Sequence, residues 1–234
     1  MAINLGGFLG SLPPHEAEWI LVDARRRRFQ RSDIVFHEGD AGDTIHVVTS
    51  GRFGVQTGTA DGDRVMLQIV ATGEVFGELS VFGTDRRRTA TVVTLEAGET
   101  HSINAEAVRE LCSRAPEAAS YFLGLLAERS IGHTTRLLEI VFVPAEIRVV
   151  RRMVELASAF PDGITLTQEQ VGEMACTSRA TVNKVVAGGV GARRARNLAG
   201  HGRDRRHRAA AGARIPRVGT AEGPGLSKEP GGLA

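Results

Sequence analysis

Between Phe76 and Val93 the chain reads Phe-Gly-Glu-Leu-Ser-Val-Phe-Gly-Thr-Asp-Arg-Arg-Arg-Thr-Ala-Thr-Val-Val. Two apolar, β-prone runs flank a segment that gathers Glu78, Ser80, three consecutive arginines and Thr89. Ordering so many donors costs free energy unless something anionic accepts them. Gly77 lets the backbone approach a ligand closely, and the amides after it can form a concave set of donors. Arg88 offers a planar fork that suits two phosphate oxygens, with the Thr89 hydroxyl beside it. Glu78, an acceptor, suits sugar hydroxyls. A phosphate that also carries a ribose satisfies all of these groups at once, whereas Arg86 and Arg87 read as surface charges.

Other chemistries find little support. A metal-dependent enzyme on a β-barrel needs clustered ligands, usually two histidines alternating on one strand. His37, His46 and His101 are isolated and no His-x-His occurs. The two cysteines, Cys112 and Cys176, offer neither a zinc spacing nor a cluster-binding set and read as buried structural thiols. No metal, no catalytic residue and no enzyme activity are expected.

Phe-Gly-Glu-Leu-Ser, followed ten residues after Glu78 by Arg88-Thr-Ala, resembles the phosphate-binding cassette of the cyclic-nucleotide-binding domain. The resemblance implies that Phe76, Gly77, Glu78, Leu79, Ser80, Arg88 and Thr89 bind the ligand. Glu78 would take the ribose 2′-hydroxyl, and Arg88 with Thr89 the cyclic phosphate. The expected effector is cAMP, with cGMP as the other candidate.

The elements that must position this cassette are short. From Phe29 to about Ile103, β-prone runs such as Ile34-Val-Phe, Thr44-Ile-His-Val-Val and Arg64-Val-Met-Leu-Gln-Ile-Val alternate with glycine and aspartate turns. This pattern predicts an antiparallel jelly roll. Before it, residues 1–10 read as a loosely held terminus, Leu12-Pro-Pro-His-Glu as the start of a short helix, and Arg25 to Arg28 as a solvated basic run near that helix's end. After it, a helix opens at Pro116 and runs to about Phe142. Ala119, Leu123, Leu126, Ser130, His133, Leu137 and Ile140 repeat along it at steps of four and three, a coiled-coil seam that predicts a parallel homodimer. In the resembling family, polar residues at the middle of this helix reach the nucleotide base from both subunits, which makes His133 and Thr134 ligand candidates. The family position usually carries a hydroxyl; here it is a histidine followed by two threonines. Val143-Pro-Ala-Glu then breaks the helix, at the place where the family hinges.

Thr165-Leu-Thr-Gln-Glu-Gln-Val-Gly-Glu-Met-Ala predicts a helix capped by Thr167 with Gln170 three residues on. Ser178-Arg-Ala-Thr-Val-Asn-Lys-Val-Val predicts a second short helix, so the pair forms a helix-turn-helix. The two segments resemble the catabolite-activator and FNR-type (CRP/FNR) transcription regulators. On that resemblance Arg179 reads guanine, Lys184 falls on a base or phosphate, and Thr167, Ser178 and Thr181 anchor phosphates. Ala180 departs from the family, which usually carries glutamate there, and this puts the operator sequence in doubt.

The C-terminus breaks the pattern. From Ala187 onward there are ten Lys and Arg against three Asp and Glu, whereas residues 1–186 hold nineteen against twenty-four. The net +2 therefore belongs to the tail. Its Gly, Ala, Arg and Pro content predicts disorder in place of the wing. Read one base out of frame, the codons of residues 201–207 permit Thr-Gly-Glu-Ile-Val-Val-Ile. Those of residues 186–197 permit Leu-Arg-Glu-Glu-Leu-Glu-Arg-Asp-Gly-Leu-Val-Ile. Both fit what the family places there, which points to a frameshift near codon 186.

The expected architecture is α+β. A cyclic-nucleotide-binding jelly roll covers 12–115, a dimerisation helix and hinge 116–143, a helix-turn-helix DNA-binding domain without its wing 144–190, and a disordered basic tail 191–234. The expected function is a cytoplasmic, homodimeric transcription regulator whose affinity for a double-stranded DNA operator is controlled by the cyclic nucleotide. RNA polymerase is a further expected partner, and no membrane is. The alternative is a cyclic-nucleotide-binding protein that has lost specific DNA binding through its altered C-terminus.

Overall fold

A computed structural model describes residues 7–59, 61–163 and 165–188. The chain opens with a helical turn, α1 (Gly7–Gly10), and a short helix, α2 (Pro14–Val22). Eight strands follow: β1 (Arg25–Phe29), β2 (Ile34–Phe36), β3 (Thr44–Ser50), β4 (Phe53–Gly58), β5 (Arg64–Val70), β6 (Val75–Phe76), β7 (Thr91–Thr94) and β8 (Gly98–Asn104), with the short helix α3 (Leu79–Phe82) between β6 and β7. They form two antiparallel four-stranded sheets, ordered β1-β8-β3-β6 and β2-β7-β4-β5.

The period of two explains why β3 is buried on both faces from Ile45 to Val48. Ile45 and Val47 face a core shared with Phe8, Leu12, Ile20, Val108, Leu111 and Phe122 of the helices. Val48 belongs instead to the layer between the sheets, with Phe29, Phe53, Val70, Phe76 and Val92.

Two expectations at the N-terminus need correction. Residues 7–10 are not loose: Phe8 and Leu9 are buried, the Phe8 amide donates to Gly73 O, and the Phe8 ring packs 5.1 Å from those of Tyr121 and Phe122. Two large apolar side chains here outweigh the glycines that suggested a frayed end. Arg25 to Arg28, read as a solvated run beside a helix, form strand β1 in register with β8. The register sets Arg28 opposite Glu99, and the Glu99 carboxylate accepts from both Arg26 and Arg28. The bonds from Arg26 first, then Arg28, hold that carboxyl below the usual carboxylate range.

The helical part begins with α4 (Ala105–Arg114), capped by the Asn104 side chain, which accepts from Glu106 N. The long α5 (Pro116–Phe142) follows, then α6 (Ala145–Ala159), α7 (Gln168–Ala175) and α8 (Arg179–Ala187). Pro144 separates α5 from α6, and Arg148 spans the break. Its guanidinium donates to Val143 O at 2.7 Å, to Ala175 O and Cys176 O at 2.9 Å, and to Ile140 O at 3.4 Å. Carbonyls left open at the ends of α5 and α7 are thereby satisfied by one side chain. Thr167 and Gln170 form a complete capping box on α7, and the Ser178 side chain caps α8. Between them Cys176 adopts a left-handed backbone. Val149, Val150, Ala175, Val182 and Val185 make the small core of this three-helix unit. The unit rests on the sandwich through Met174, which packs with Met66 and Leu95, and through a 2.8 Å bond from Gln56 to Glu173. The wing, the basic tail and the frameshift reading from residue 189 onward lie outside the described residues.

Candidate functional site

The segment from β6 to β7 closes over a cavity between the sandwich and α5. Eight of the sequence-predicted ligand residues line it: Phe76, Gly77, Glu78, Leu79, Ser80, Arg88, Thr89 and His133. Gly77 has φ +85°, and a Cβ there would lie 2.6 Å from Nη1 of Arg88. Glycine is therefore required twice over, by the left-handed backbone and by the arginine beneath it.

Arg88 is 5% exposed and its donors are largely committed within the protein. Nη1 donates to Thr44 O at 2.7 Å, Ser80 Oγ at 3.0 Å and Gly77 O at 3.2 Å, while Nη2 donates to Thr44 Oγ1 at 2.8 Å. The guanidinium also lies 4.0 Å above the Phe36 ring, a favourable cation–π placement. Nε is buried with no partner among the described residues. Burial pulls the Arg88 pKa down, and the charges of Asp43, Asp40 and Glu78 oppose that pull. A guanidinium stays protonated under such a shift. The site therefore holds a buried cation with an open donor, which is what an anion needs.

Glu78 is 1% exposed, and such a carboxylate must be paired. Its partner is Arg129 of α5, whose Nη1 bonds Oε1 of Glu78 and whose Nη2 donates to Val75 O at 2.7 Å. The other carboxylate oxygen, Oε2, is buried without a partner among the described residues and remains an acceptor for a ligand hydroxyl.

Sequence reasoning missed Arg129, although it lies four residues before His133 and therefore on the same helix face. Gln68, Leu67 and Phe36 were also missed, and all three line the cavity. The pairing of β4 with β5 shifts so that Val55 faces Gln68 while Gln56 faces Met66, leaving Leu67 as a bulge. A bulge re-aims side chains, so the consecutive Leu67 and Gln68 both reach the wall. Thr134 is not brought to the cavity. Its hydroxyl donates to Ser130 O, and it lines a groove on the other flank of α5 with Leu79, Leu126 and Leu137. One residue beyond His133 is about 100° around a helix.

Behind the cassette His46 stacks on Phe76 with ring centroids 4.9 Å apart, and its Nδ1 lies 3.0 Å from Thr100 Oγ1. Burial first, and then the charges of Arg88 and Arg27, lower its pKa to about 3, so the ring is a neutral structural member.

The DNA-side candidates sit together on the α7–α8 unit. Ser178, Arg179 and Lys184 are exposed and Thr181 is half-buried, while Val182 and Val185 on the opposite face are buried. Lys184 approaches Glu146 at 3.4 Å, and among the described residues Arg179 makes no ion pair. Thr167 is exposed at the start of α7 and its hydroxyl caps that helix.

Among the described residues no group of three or more His, Cys, Asp and Glu side chains could hold a metal, and no helix is long and apolar enough to cross a membrane.

Comparison with known proteins agrees with this geometry. Residues 26–115 match the cyclic nucleotide-binding domain. The CRP-like cAMP-activated global transcriptional regulator of Mycobacterium tuberculosis is 31% identical over 167 residues, covering 68% of this chain and 74% of that protein. The cAMP-activated global transcriptional regulator CRP of Haemophilus influenzae is 24% identical over 176 residues, covering 72% and 79%. In fold, the c-di-GMP responsive global regulator CLP of Xanthomonas campestris superposes with a TM-score of 0.67 at 22% identity, covering 75% of this chain and 90% of that one. A cyclic-nucleotide-binding sandwich, a long helix that closes its site and a following helical unit thus place the chain in the CRP/FNR family of transcription regulators.

Proposed function

We propose that this protein is a homodimeric transcription regulator whose grip on a double-stranded DNA operator is set by a cyclic mononucleotide, cAMP before cGMP, bound in the sandwich. The observation that carries the reading is the pairing of a buried, partly open carboxylate, Glu78, with a buried, partly open guanidinium, Arg88, in one cavity. A ribose hydroxyl suits the first and a cyclic phosphate the second. Thr89 and the amides around Gly77 add donors to the same phosphate. The cAMP-activated regulators to which the chain is similar favour this ligand over other anions.

The cavity encloses about 50 Å³, against roughly 300 Å³ for ordinary ligand sites. Its walls must therefore move, and Arg129 and His133, both from α5, are the side chains that close it. Binding thus acts directly on the long helix. In the proposed mechanism α5 carries the change through the Arg148-pinned break near Pro144 to the helix-turn-helix. Arg179 would read guanine, Lys184 a base or phosphate, and Thr167, Ser178 and Thr181 phosphates. The domain limits 12–115, 116–143 and 144–190, a cytoplasmic location, RNA polymerase as partner and the lack of catalytic or metal chemistry belong to the same proposal.

The composition after Ala187 favours a second reading, in which the nucleotide still binds but sequence-specific DNA retention is lost. Calorimetric titration of cAMP and cGMP into the wild type, Arg88→Ala and Glu78→Ala tests the first half. The expected result is saturable binding that both substitutions abolish; a folded wild type that binds neither nucleotide rejects it. Retention of operator fragments with and without nucleotide then separates the two readings.

A further inference from the structure

Strands β4 and β5 are occupied on both faces. Their register pairs Val55 with Gln68 and Gln56 with Met66, and Leu67 is the extra residue between them. Successive pairs point to opposite faces of a sheet. Val55, Leu67 and Gln68 line the nucleotide cavity. Gln56 and Met66 face the other way and hold α7: Nε2 of Gln56 donates to Oε2 of Glu173 at 2.8 Å, and the buried Met66 side chain packs with Met174 and Leu95. Gly54 makes room for this packing, since a Cβ there would lie 3.2 Å from Cε of Met66 and 3.3 Å from Cδ2 of Leu95. The Met66 carbonyl accepts from Nη1 of Arg136 at 3.0 Å, so α5 grips the bulge as well. Cavity wall, long helix and helix-turn-helix thus meet at one bulge.

We infer that β4 and β5 form a latch that holds the helix-turn-helix unit on the sandwich, and that the nucleotide opens it. This rests on the cyclic-nucleotide reading above; the route runs beside the break at Pro144 rather than through it. The cavity encloses about 50 Å³, well short of the roughly 300 Å³ of an ordinary ligand site, so a nucleotide pushes on its walls. At a bulge the ladder is locally disrupted and resists that push least. Displacing Leu67 and Gln68 carries Met66 with them, because the three are consecutive. Met66 and its cross-strand partner Gln56 then lose their fit on Met174 and Glu173. Two methionines suit a contact that must part and form again, being unbranched and adaptable.

The latched state is the weaker DNA binder. In it the start of α7 faces the β4–β5 hairpin, and Thr167 and Gln170 line a cleft of about 720 Å³ with Thr57, Thr59 and Glu38. A DNA phosphate brought to Thr167 would meet the Glu38 carboxylate across that cleft, and like charges repel. Released from β5, α7 keeps its capping box and its core with α6 and α8, so the unit leaves as one body.

The test is calorimetric titration of cAMP into the full chain as wild type, Gln56→Ala, Met174→Ala and Arg148→Ala. The first two weaken the latch without changing charge, so the attraction for an anion stays as it was. Neither position belongs to the core of the helical unit or to the cavity wall. Gln56→Ala removes one hydrogen bond beside an open cleft, which keeps the fold. Free energy no longer needed to open the latch appears as affinity. Both variants should bind cAMP more tightly, by about fivefold or more, the low end of coupling between sites. Reciprocity requires saturating cAMP to speed amide exchange in α7 of the wild type, the reverse of the slowing that a bound ligand ordinarily brings. Unchanged or weaker binding in both variants, or slower exchange in α7, overturns the latch while leaving the cassette reading intact. An equal gain in Arg148→Ala, which loosens the break at Pro144 and leaves the β5 contacts in place, assigns the coupling to α5 and overturns the latch too. A folded wild type that binds no cAMP overturns the cassette reading and the latch together.

Discussion

At the scale of single residues, Gly77 and His46 are fixed by what lies against them. In Gly77→Ala the new methyl meets the Arg88 guanidinium at 2.6 Å on a backbone with φ +85°. Strain of this kind costs on the order of 1–3 kcal/mol. The side chain free to yield is Arg88, which would leave its bonds to Thr44 and Ser80. Nucleotide affinity is therefore expected to fall at least tenfold, about 1.4 kcal/mol, while the fold persists; unchanged affinity by calorimetry would show that Arg88 does not hold the phosphate. For His46 the sign follows from its folded pKa of about 3, below the ordinary 6.5. The unfolded chain takes up a proton as pH falls through about 6.5 and the folded chain resists until about 3. The stabilisation is whole above pH 6.5 and erodes below it, by about 2 kcal/mol on going to pH 5. Urea unfolding at pH 7 and pH 5 should show this loss in the wild type and a smaller loss in His46→Phe. Equal losses would place the acid sensitivity elsewhere.

At the scale of elements, Arg148 joins the ends of α5 and α7. Removing its guanidinium leaves several carbonyls short of a partner, and Arg148→Ala should cost about 1–3 kcal/mol. Arg151 differs. It bonds Glu139 at 2.7 Å from an exposed position, and Glu139 also accepts from the buried Arg152 at 2.6 Å. Arg151→Ala should therefore cost less than about 1 kcal/mol. Amide exchange in α7 and α8 is the measurement, and comparable protection in both variants would rule out the clamp. The cassette was legible in the sequence because Phe76 to Thr89 is one stretch whose residue types state their chemistry. The capping box at Thr167 and Gln170 was legible for the same reason, being local. Arg129 was not, because its role depends on which face of α5 meets Glu78, a contact 51 residues apart. Gln68 was hidden by the Leu67 bulge, since strict alternation would turn one of two consecutive residues away. Strand β1 was hidden by its four arginines, whose charge is tolerated by cross-strand bonds to Glu99. Thr134, next to His133 in sequence, lies outside the cavity of one copy and on the groove that the seam lines.

At the scale of the whole molecule, α5 presents an apolar face that one copy of the chain does not cover. Leu123 is 69% exposed, Leu137 60% and Ile140 45%, and the seam read from the sequence runs through all three. Covering a leucine stabilises by roughly 1.5–3 kcal/mol. Leu123 and Leu137 in two copies together supply roughly 6–12 kcal/mol, enough to offset much of the cost of association. Sedimentation equilibrium should find a dimer in the wild type and a monomer in Leu123→Glu/Leu137→Glu, whose fold is safe because both positions face solvent. A monomeric wild type at tens of micromolar, or a dimeric double variant, would reject the seam. Leu79 of the cassette lines the same groove as Leu126, His133 and Leu137, so a nucleotide in the cavity and a second copy on the seam would meet one surface. Linkage then requires that whatever factor dimerisation adds to nucleotide affinity, the nucleotide adds to dimerisation. Each copy carries one cavity, so saturating nucleotide should tighten the wild-type dimer by the square of the factor by which the double variant binds nucleotide more weakly than the wild type, and the two measurements must agree.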